Sequence, residues 1–303
     1  LLNVFHHLMD NLRKRIDKQI DFNRGKNLFN IESLNSMKFI EDTVKSIQGL
    51  SLIDKETERL IIDYTTDKCL REFCRINQYF SFNSEAKKNL RNLYSDLFTT
   101  IKNQSKPIEI IAENHYNNLK DWLTKTNSFA QDVYVDQDEL IEPITCAEYS
   151  AELQLDILKI NITEINSPVL DIGCGVQGLL VKYFRSNGIE AYGIDRLVQP
   201  ESFLSFADWL EYRYGTSKWG TIISNLGFSN HFYHHHLRND GNFLEYAKKY
   251  MQILNSLKNG GKFHYAPSIH FIENYLEKKK FNVKHFSIGN YNFETTVIQR
   301  LRK

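Results

Sequence analysis

Three glycines, Gly173, Gly175 and Gly178, close the apolar run Pro168-Val169-Leu170-Asp171-Ile172 and open a segment in which Leu179, Leu180, Tyr183 and Phe184 recur at helical spacing. Glycine admits left-handed backbone and lets a ligand approach with no Cβ in the way. The apolar run predicts a short buried parallel strand, so the glycine turn falls at a helix N-terminus. There, free N–H groups and the helix dipole favour a carboxylate or phosphate. A second apolar run, Ile189 to Ile194, ends in Asp195, whose carboxylate is placed to accept from ribose hydroxyls. The chemistry offered is the binding of a nucleoside-bearing cofactor.

Read literally, the glycines spell G-x-G-x-x-G, which dinucleotide-binding dehydrogenases share, and a nicotinamide-dependent oxidoreductase is one alternative. Asp171, two residues before the first glycine, would repel a pyrophosphate and suits a ligand's ammonium group. Asp171-Ile172-Gly173-Cys174-Gly175 resembles the first motif of the class I S-adenosylmethionine-dependent methyltransferases, and Gly193-Ile194-Asp195 resembles their second-strand acidic motif. The resemblance covers residues 140 to 303. It implies an α/β fold, a Rossmann-like sheet with helices on both faces, and S-adenosyl-L-methionine as cofactor, leaving as S-adenosyl-L-homocysteine. Cofactor contacts then fall to Asp171, Gly173, Cys174, Gly175, Asp195 and its neighbour Arg196. Asp208 and Trp209 stand where the family places an acidic residue on the adenine amino group and an apolar side chain on the ring. Asp208 as a helix cap beside a core tryptophan is the alternative. Upstream, Cys146 to Leu158 reads as a helix covering the cofactor, with Tyr149 packing near the sulfonium by cation–π attraction.

The floor of the reaction site is expected at Ser224 to Phe232, after the fourth strand, with Asn225 near both cofactor and acceptor. Asn225-Leu226-Gly227-Phe228 has the end residues of the Asn-Pro-Pro-Phe/Tyr motif of amine-modifying methyltransferases. It lacks the prolines that hold a carbonyl rigidly beside the Asn oxygen, which favours a small-molecule acceptor over a nucleic-acid base. His231, nearest the strand end, is the candidate general base, since an ordinary imidazole titrates near neutrality. His231, His234 and His235 share a helix face, which leaves metal binding, base catalysis and packing open for the run to His236. No Cys or carboxylate accompanies it at ligand spacing, so no metal is expected. An acceptor pocket is expected from Phe228, Phe232 and Tyr265, with His235 and Glu148 as polar contacts.

These side chains need two kinds of scaffold. Before residue 150 only Gly25 and Gly49 occur out of 14 glycines, so the first half should be helical and the second rich in turns. A helical N-terminal domain is expected over 1–135 and the cofactor-binding domain over 136–303. Apolar periodicity predicts an N-terminal helix over residues 1–20, one between an Asn35 or Ser36 cap and a Gly49 stop, and one starting near Asp54. Another follows Asn83 and Ser84, and the pattern continues through Ile108 to Leu123. In the second half, strands are expected at 219–225, 262–266, 283–288 and 295–301, the last as an antiparallel edge, with helices at 243–257 and 269–279.

A net charge of +1 gives no electrostatic footprint for nucleic acid or an anionic membrane. Four cysteines without zinc-like pairing fit reduced thiols in the cytoplasm. No apolar run approaches the ~20 residues that span a bilayer. The expected partner is a small-molecule acceptor, methylated at oxygen or nitrogen, with a homodimer through the helical domain. RNA or protein methylation, and a regulatory protein that binds the cofactor without transfer, are the alternatives.

Overall fold

The computed structural model describes residues 2–52, 55–143, 148–289 and 292–302, so Cys146, at the head of the expected upstream helix, lies outside the described residues. The chain divides into two compact units, Leu1–Thr145 and Cys146–Lys303.

The first unit is helical: α1 (Leu2–Phe22), α2 (Ile31–Ser36), α3 (Glu41–Gln48), α4 (Lys55–Ile76), α5 (Ser84–Asn103), α6 (Ile108–Thr126) and α7 (Phe129–Tyr134). The Asn83 side chain accepts from Ala86 N at 2.8 Å and starts α5 where the sequence suggests. The expected Asn35 or Ser36 cap is corrected. Asn30 caps a separate short helix by accepting from Ser33 N at 3.0 Å, and α3 begins only at Glu41 after an extended Ile40. Ile61, Leu90, Phe98 and Ile101 are essentially sealed from solvent, and Trp122 stacks on Phe82 at 4.9 Å while its Nε1 donates to Ala86 O. Each such apolar side chain contributes about 1.5–3 kcal/mol on burial.

The division falls after Thr145 and not after residue 135, for a hydrogen-bonding reason. Buried Asn27 donates through Nδ2 to the carbonyls of Tyr134 (2.8 Å) and Asp138 (3.1 Å). Asn27 N donates to Glu139 O, and Ile141 N to Gly25 O at 2.7 Å. Residues 137–141 are thereby sewn to the helices.

The second unit holds α8 (Ala151–Ile157), β1 (Val169–Ile172), α9 (Leu179–Ser186), β2 (Ala191–Asp195), β3 (Leu204–Phe206), β4 (Trp219–Asn225), α10 (Phe228–Leu237), α11 (Phe243–Ser256), β5 (Leu257–Ala266), α12 (His270–Glu273), β6 (Phe281–Ser287) and β7 (Glu294–Arg300). The sheet order is β3-β2-β1-β4-β5-β7-β6. The first five strands run parallel, and β7 is antiparallel to both β5 and β6. One apolar cluster joins Leu170, Ile222 and Phe263 to Phe232 and Tyr250 on one face. Another joins Val169, Ala191 and Ile223 to Ile157, Leu180 and Phe184.

Three expectations change. The last strand is not the edge: β7 buries Thr295, Thr296 and Ile298, whereas most of β6 is exposed, so β6 takes the edge. The upstream helix starts only at Ala151, because Ser150 Oγ accepts from Leu153 N and caps it there. The helix expected over 269–279 stops after Glu273. Glu277 O then accepts from the amides of Lys280 and Phe281, a turn that brings Phe281 into the core as the start of β6. Among the described residues no helix is long and apolar enough to cross a membrane.

Candidate active site

Strand order reverses between β1 and β4, and in an open parallel sheet the crevice beyond the carboxyl ends at such a reversal receives ligands. Asp171 on β1 and Asn225 at the end of β4 flank that point, the register setting Asp171 beside Ile223, two residues before Asn225. Asp171 Oδ2 and Asn225 Oδ1 are both buried and without a hydrogen-bond partner. Two stranded acceptors are costly, and a ligand that brings N–H donors removes the cost. Burial first, and the nearby Asp195 second, push the Asp171 carboxyl up to about 8. The pocket is therefore short of positive charge, which an ammonium group supplies.

Asp195, at the end of β2, closes the glycine turn. Its Oδ2 accepts from Gly175 N at 3.1 Å and its Oδ1 from Leu197 N at 2.8 Å. Burial raises its pKa, opposed by those amides and by Arg196. Gly173 and Gly175 have φ of +81° and +76°, the left-handed region that other residues avoid. A Cβ on Gly173 would stand 3.2 Å from the Trp209 ring, so the turn and the indole are in contact. The Arg196 guanidinium lies 5.5 Å from the Trp209 ring centroid, and His231 meets the same ring edge-on at 4.7 Å. Asp208 Oδ1 accepts from Leu210 N, capping the turn that carries Trp209.

Glu148, expected among the acceptor contacts, lies against the glycine turn. Its Oε1 accepts from Gln177 N at 2.9 Å, and a Cβ on Gly175 would fall 3.1 Å from it. The protein's own carboxylate thus takes an amide of the glycine turn that the sequence left for a ligand. A pyrophosphate laid over Gly173 to Gly178 would face Glu148, Asp171 and Asp195 together, which counts against a dinucleotide. Tyr149 follows in the chain, half-buried, its carbonyl accepting from Gln154 Nε2.

Ser224 explains how the floor is built: its hydroxyl donates to Ile172 O and accepts from Phe228 N, tying β1, β4 and the start of α10 together. Leu226 is held at φ +53° by this turn. Several expected site residues are corrected. Phe228, Phe232 and Tyr265 are in the apolar core with essentially no exposed surface, because the inward face of α10 packs on α11 and β5. Tyr265 bonds instead to Tyr250 and Glu273. His235 accepts from Asn242 N through Nδ1 and stacks on Tyr246. Cys174 turns its thiol against Gly193 in the sheet, where burial pushes its pKa up, so only its backbone belongs to the turn. His231 is also buried, and burial, with Arg196 second, drives its pKa well below 6.5. It stays neutral at neutral pH, but it is a weak base there. The His231 to His236 run does lie on α10, yet the one metal-type cluster among the described residues is elsewhere, at His270, Glu273 and His285.

No protein-family model matches the chain, and no curated protein sequence does. Among solved structures, the chain is similar to the N-methyltransferase NodS from Bradyrhizobium japonicum WM9 in complex with S-adenosyl-L-homocysteine, at 12% identity and TM-score 0.36, over 50% of this chain and 85% of that one. A TehB-like SAM-dependent methyltransferase from Corynebacterium glutamicum matches at 15% identity and TM-score 0.35, over 62% of this chain and 99% of that one. An S-adenosylmethionine-dependent methyltransferase from Mesorhizobium loti matches at 14% identity and TM-score 0.33, over 50% and 98%. By its own strand order, its antiparallel β7 and the glycine turn after β1, the second unit has a Rossmann-like α/β fold.

Proposed function

We propose that the second unit binds S-adenosyl-L-methionine and transfers its methyl group to an oxygen or nitrogen of a small-molecule acceptor. The observation that carries this reading is the pair of buried, unpartnered acceptors, Asp171 Oδ2 and Asn225 Oδ1, at the reversal of strand order. An amino-acid ammonium satisfies such a pair. Asp195 keeps lone pairs for ribose hydroxyls beyond its two amide contacts, and Trp209 with Arg196 forms an apolar and cationic wall for the adenine end.

The cofactor, when bound, supplies an electrophilic methyl carbon on a sulfonium. The chain's contribution is then to hold the acceptor in line with that carbon and to exclude water. Asn225 is the polar group best placed to orient it, since the second lone pair of its Oδ1 can accept a hydrogen from an amine or hydroxyl. His231, neutral and buried, serves as a wall of the pocket against Trp209 rather than as its base. The net charge of +1 supports a small acceptor over RNA.

Calorimetric titration with S-adenosylmethionine, S-adenosylhomocysteine and NADH tests the cofactor. Saturable binding of the first two and not of NADH is expected, and binding of NADH alone would overturn the reading. Asp195→Ala is expected to weaken the cofactor's binding by about 1–3 kcal/mol through lost charged hydrogen bonds; an unchanged Kd removes Asp195 from the site. Transfer of labelled methyl to a small-molecule pool supports the acceptor class. Label found only in RNA or protein, or binding with no transfer to any pool, would replace it with the corresponding alternative.

A further inference from the structure

Away from the glycine turn, on the β5-β7-β6 side of the sheet, three side chains from α12 and β6 converge. Glu273 Oε2 lies 3.2 Å from His270 Nδ1 and 2.8 Å from His285 Nε2, and one ligand atom from each residue falls within 4.8 Å of the others. The two histidine rings are 4.6 Å apart.

His270 makes a second contact that a neutral imidazole cannot satisfy together with the first. Its Nε2 lies 3.2 Å from Glu294 Oε2. A neutral imidazole has one N–H, so it can donate to Glu294 or to Glu273 but not to both. With the proton on Nε2, the Nδ1 lone pair faces a carboxylate oxygen, an arrangement that a cation between them resolves.

The surroundings are those of an oriented ligand set. Metal-bound histidines commonly pass their other N–H to a carboxylate, and ligating carboxylates are themselves hydrogen-bonded. Glu294 supplies the first. For the second, Glu273 Oε1 accepts from Tyr265 OH, from Ile269 N at 2.8 Å and from Thr296 Oγ1 at 2.9 Å, leaving Oε2 for the cluster. The Glu273 side chain is 1% exposed whereas His270 is 53% and His285 31% exposed, so a fixed carboxylate sits under an open side where ions and water enter.

We propose that His270 Nδ1, Glu273 Oε2 and His285 Nε2 bind a divalent transition metal of the zinc class, with water at the open position. Two imidazoles and one carboxylate suit zinc rather than magnesium or calcium. Bonds of about 2.0–2.1 Å in a tetrahedron set the donors about 3.3 Å apart. The two contacts to Glu273 Oε2, at 3.2 and 2.8 Å, reach that by opening a few tenths of an ångström, and the two histidine donors, within 4.8 Å of each other, close on the ion from either side. The metal would pin α12 to β6. Phe271 on α12 stacks on His236 at 3.8 Å and meets Phe232 edge-on at 5.0 Å, so the same pin steadies α10, which carries His231.

The test is calorimetric titration of the chelator-treated full chain with Zn2+, with Co2+ absorption bands reporting the donor set. One equivalent is expected to bind saturably to the parent chain and to raise its Tm. His270→Ala and His285→Ala, both at partly exposed positions, are each expected to lose that binding while keeping the parent's circular dichroism, with His285→Gln as the milder variant. Glu294→Gln is expected to weaken binding about tenfold, as loss of an outer carboxylate does. The double variant His234→Asn with His236→Asn, which removes the two unburied imidazoles of α10, is expected to bind as the parent does. Absence of saturable binding to the parent overturns the proposal. So does binding that survives His270→Ala and His285→Ala, or binding that is lost in the α10 double variant.

Discussion

Asp171→Asn is expected to stabilise the ligand-free chain at pH 8 and, in the same molecule, to abolish binding of S-adenosylmethionine. The Asp171 carboxyl is raised to about 8 in the folded chain, by burial and then by Asp195, against about 3.9 when unfolded. A raised carboxyl stabilises the fold while it is protonated. That contribution is complete below the unfolded value and is lost as pH rises through the folded one. Each pH unit within the window is worth about 1.4 kcal/mol, or about 3–6 °C in Tm for a domain of this size. Asparagine carries no charge to desolvate and so removes the slope.

Thermal melts of parent and variant from pH 5 to pH 8 give the measurement, and the difference between the chains isolates Asp171. Buried His231, His235 and His264, whose pKa values burial lowers, act alike in both and destabilise only as pH falls through their unfolded values. Binding of a cationic ligand by the parent should also tighten about tenfold from pH 6 to pH 7, as the carboxylate becomes available. Equal pH slopes in the two chains would remove the buried charge from the account.

Gly220→Ala is expected to cost about 3 kcal/mol or more. A Cβ at that position would lie 2.4 Å from Asn166 O and 2.6 Å from Ser167 O, both backbone atoms, so no side chain can swing aside. The pairing of β4 with β5 is already irregular between Trp219 and Thr221. Because Gly220 is at the far end of β4 from Asn225, cofactor affinity per folded molecule should be unchanged. Soluble yield and Tm measure the first effect and calorimetry the second; a variant melting with the parent would show that the segment before β1 yields easily.

What the sequence made legible was local. Pro168 to Gly178 carries its strand, turn and helix within a single window, and Asp195 closes the next strand, so β1, β2 and the turn stand where periodicity puts them. Trp219–Asn225 is likewise one apolar run with a polar end. What escaped depends on contacts distant in the chain. Helical spacing groups Phe228, Phe232 and His235 on one face, but not whether that face meets a ligand or α11. Gly220 reads as an ordinary strand residue until Asn166 is brought against it. Glu148 reaches the turn across 29 positions of chain, and the His270, Glu273 and His285 cluster joins a one-turn helix to an edge strand with no recognisable spacing. β3, three residues long, is too short for alternation to show.

The Asn27 amide also fixes where the molecule can be cut. A fragment ending at residue 135 would strip away the Asp138 and Glu139 carbonyls and the Ile141 amide, leaving buried Asn27 and the Gly25 carbonyl facing lost partners. Ending the fragment at Pro143 retains every one of those bonds. The natural seam for separating the helical half as an independent polypeptide therefore lies beyond the last visible helix, in chain that propensity alone would have discarded as linker.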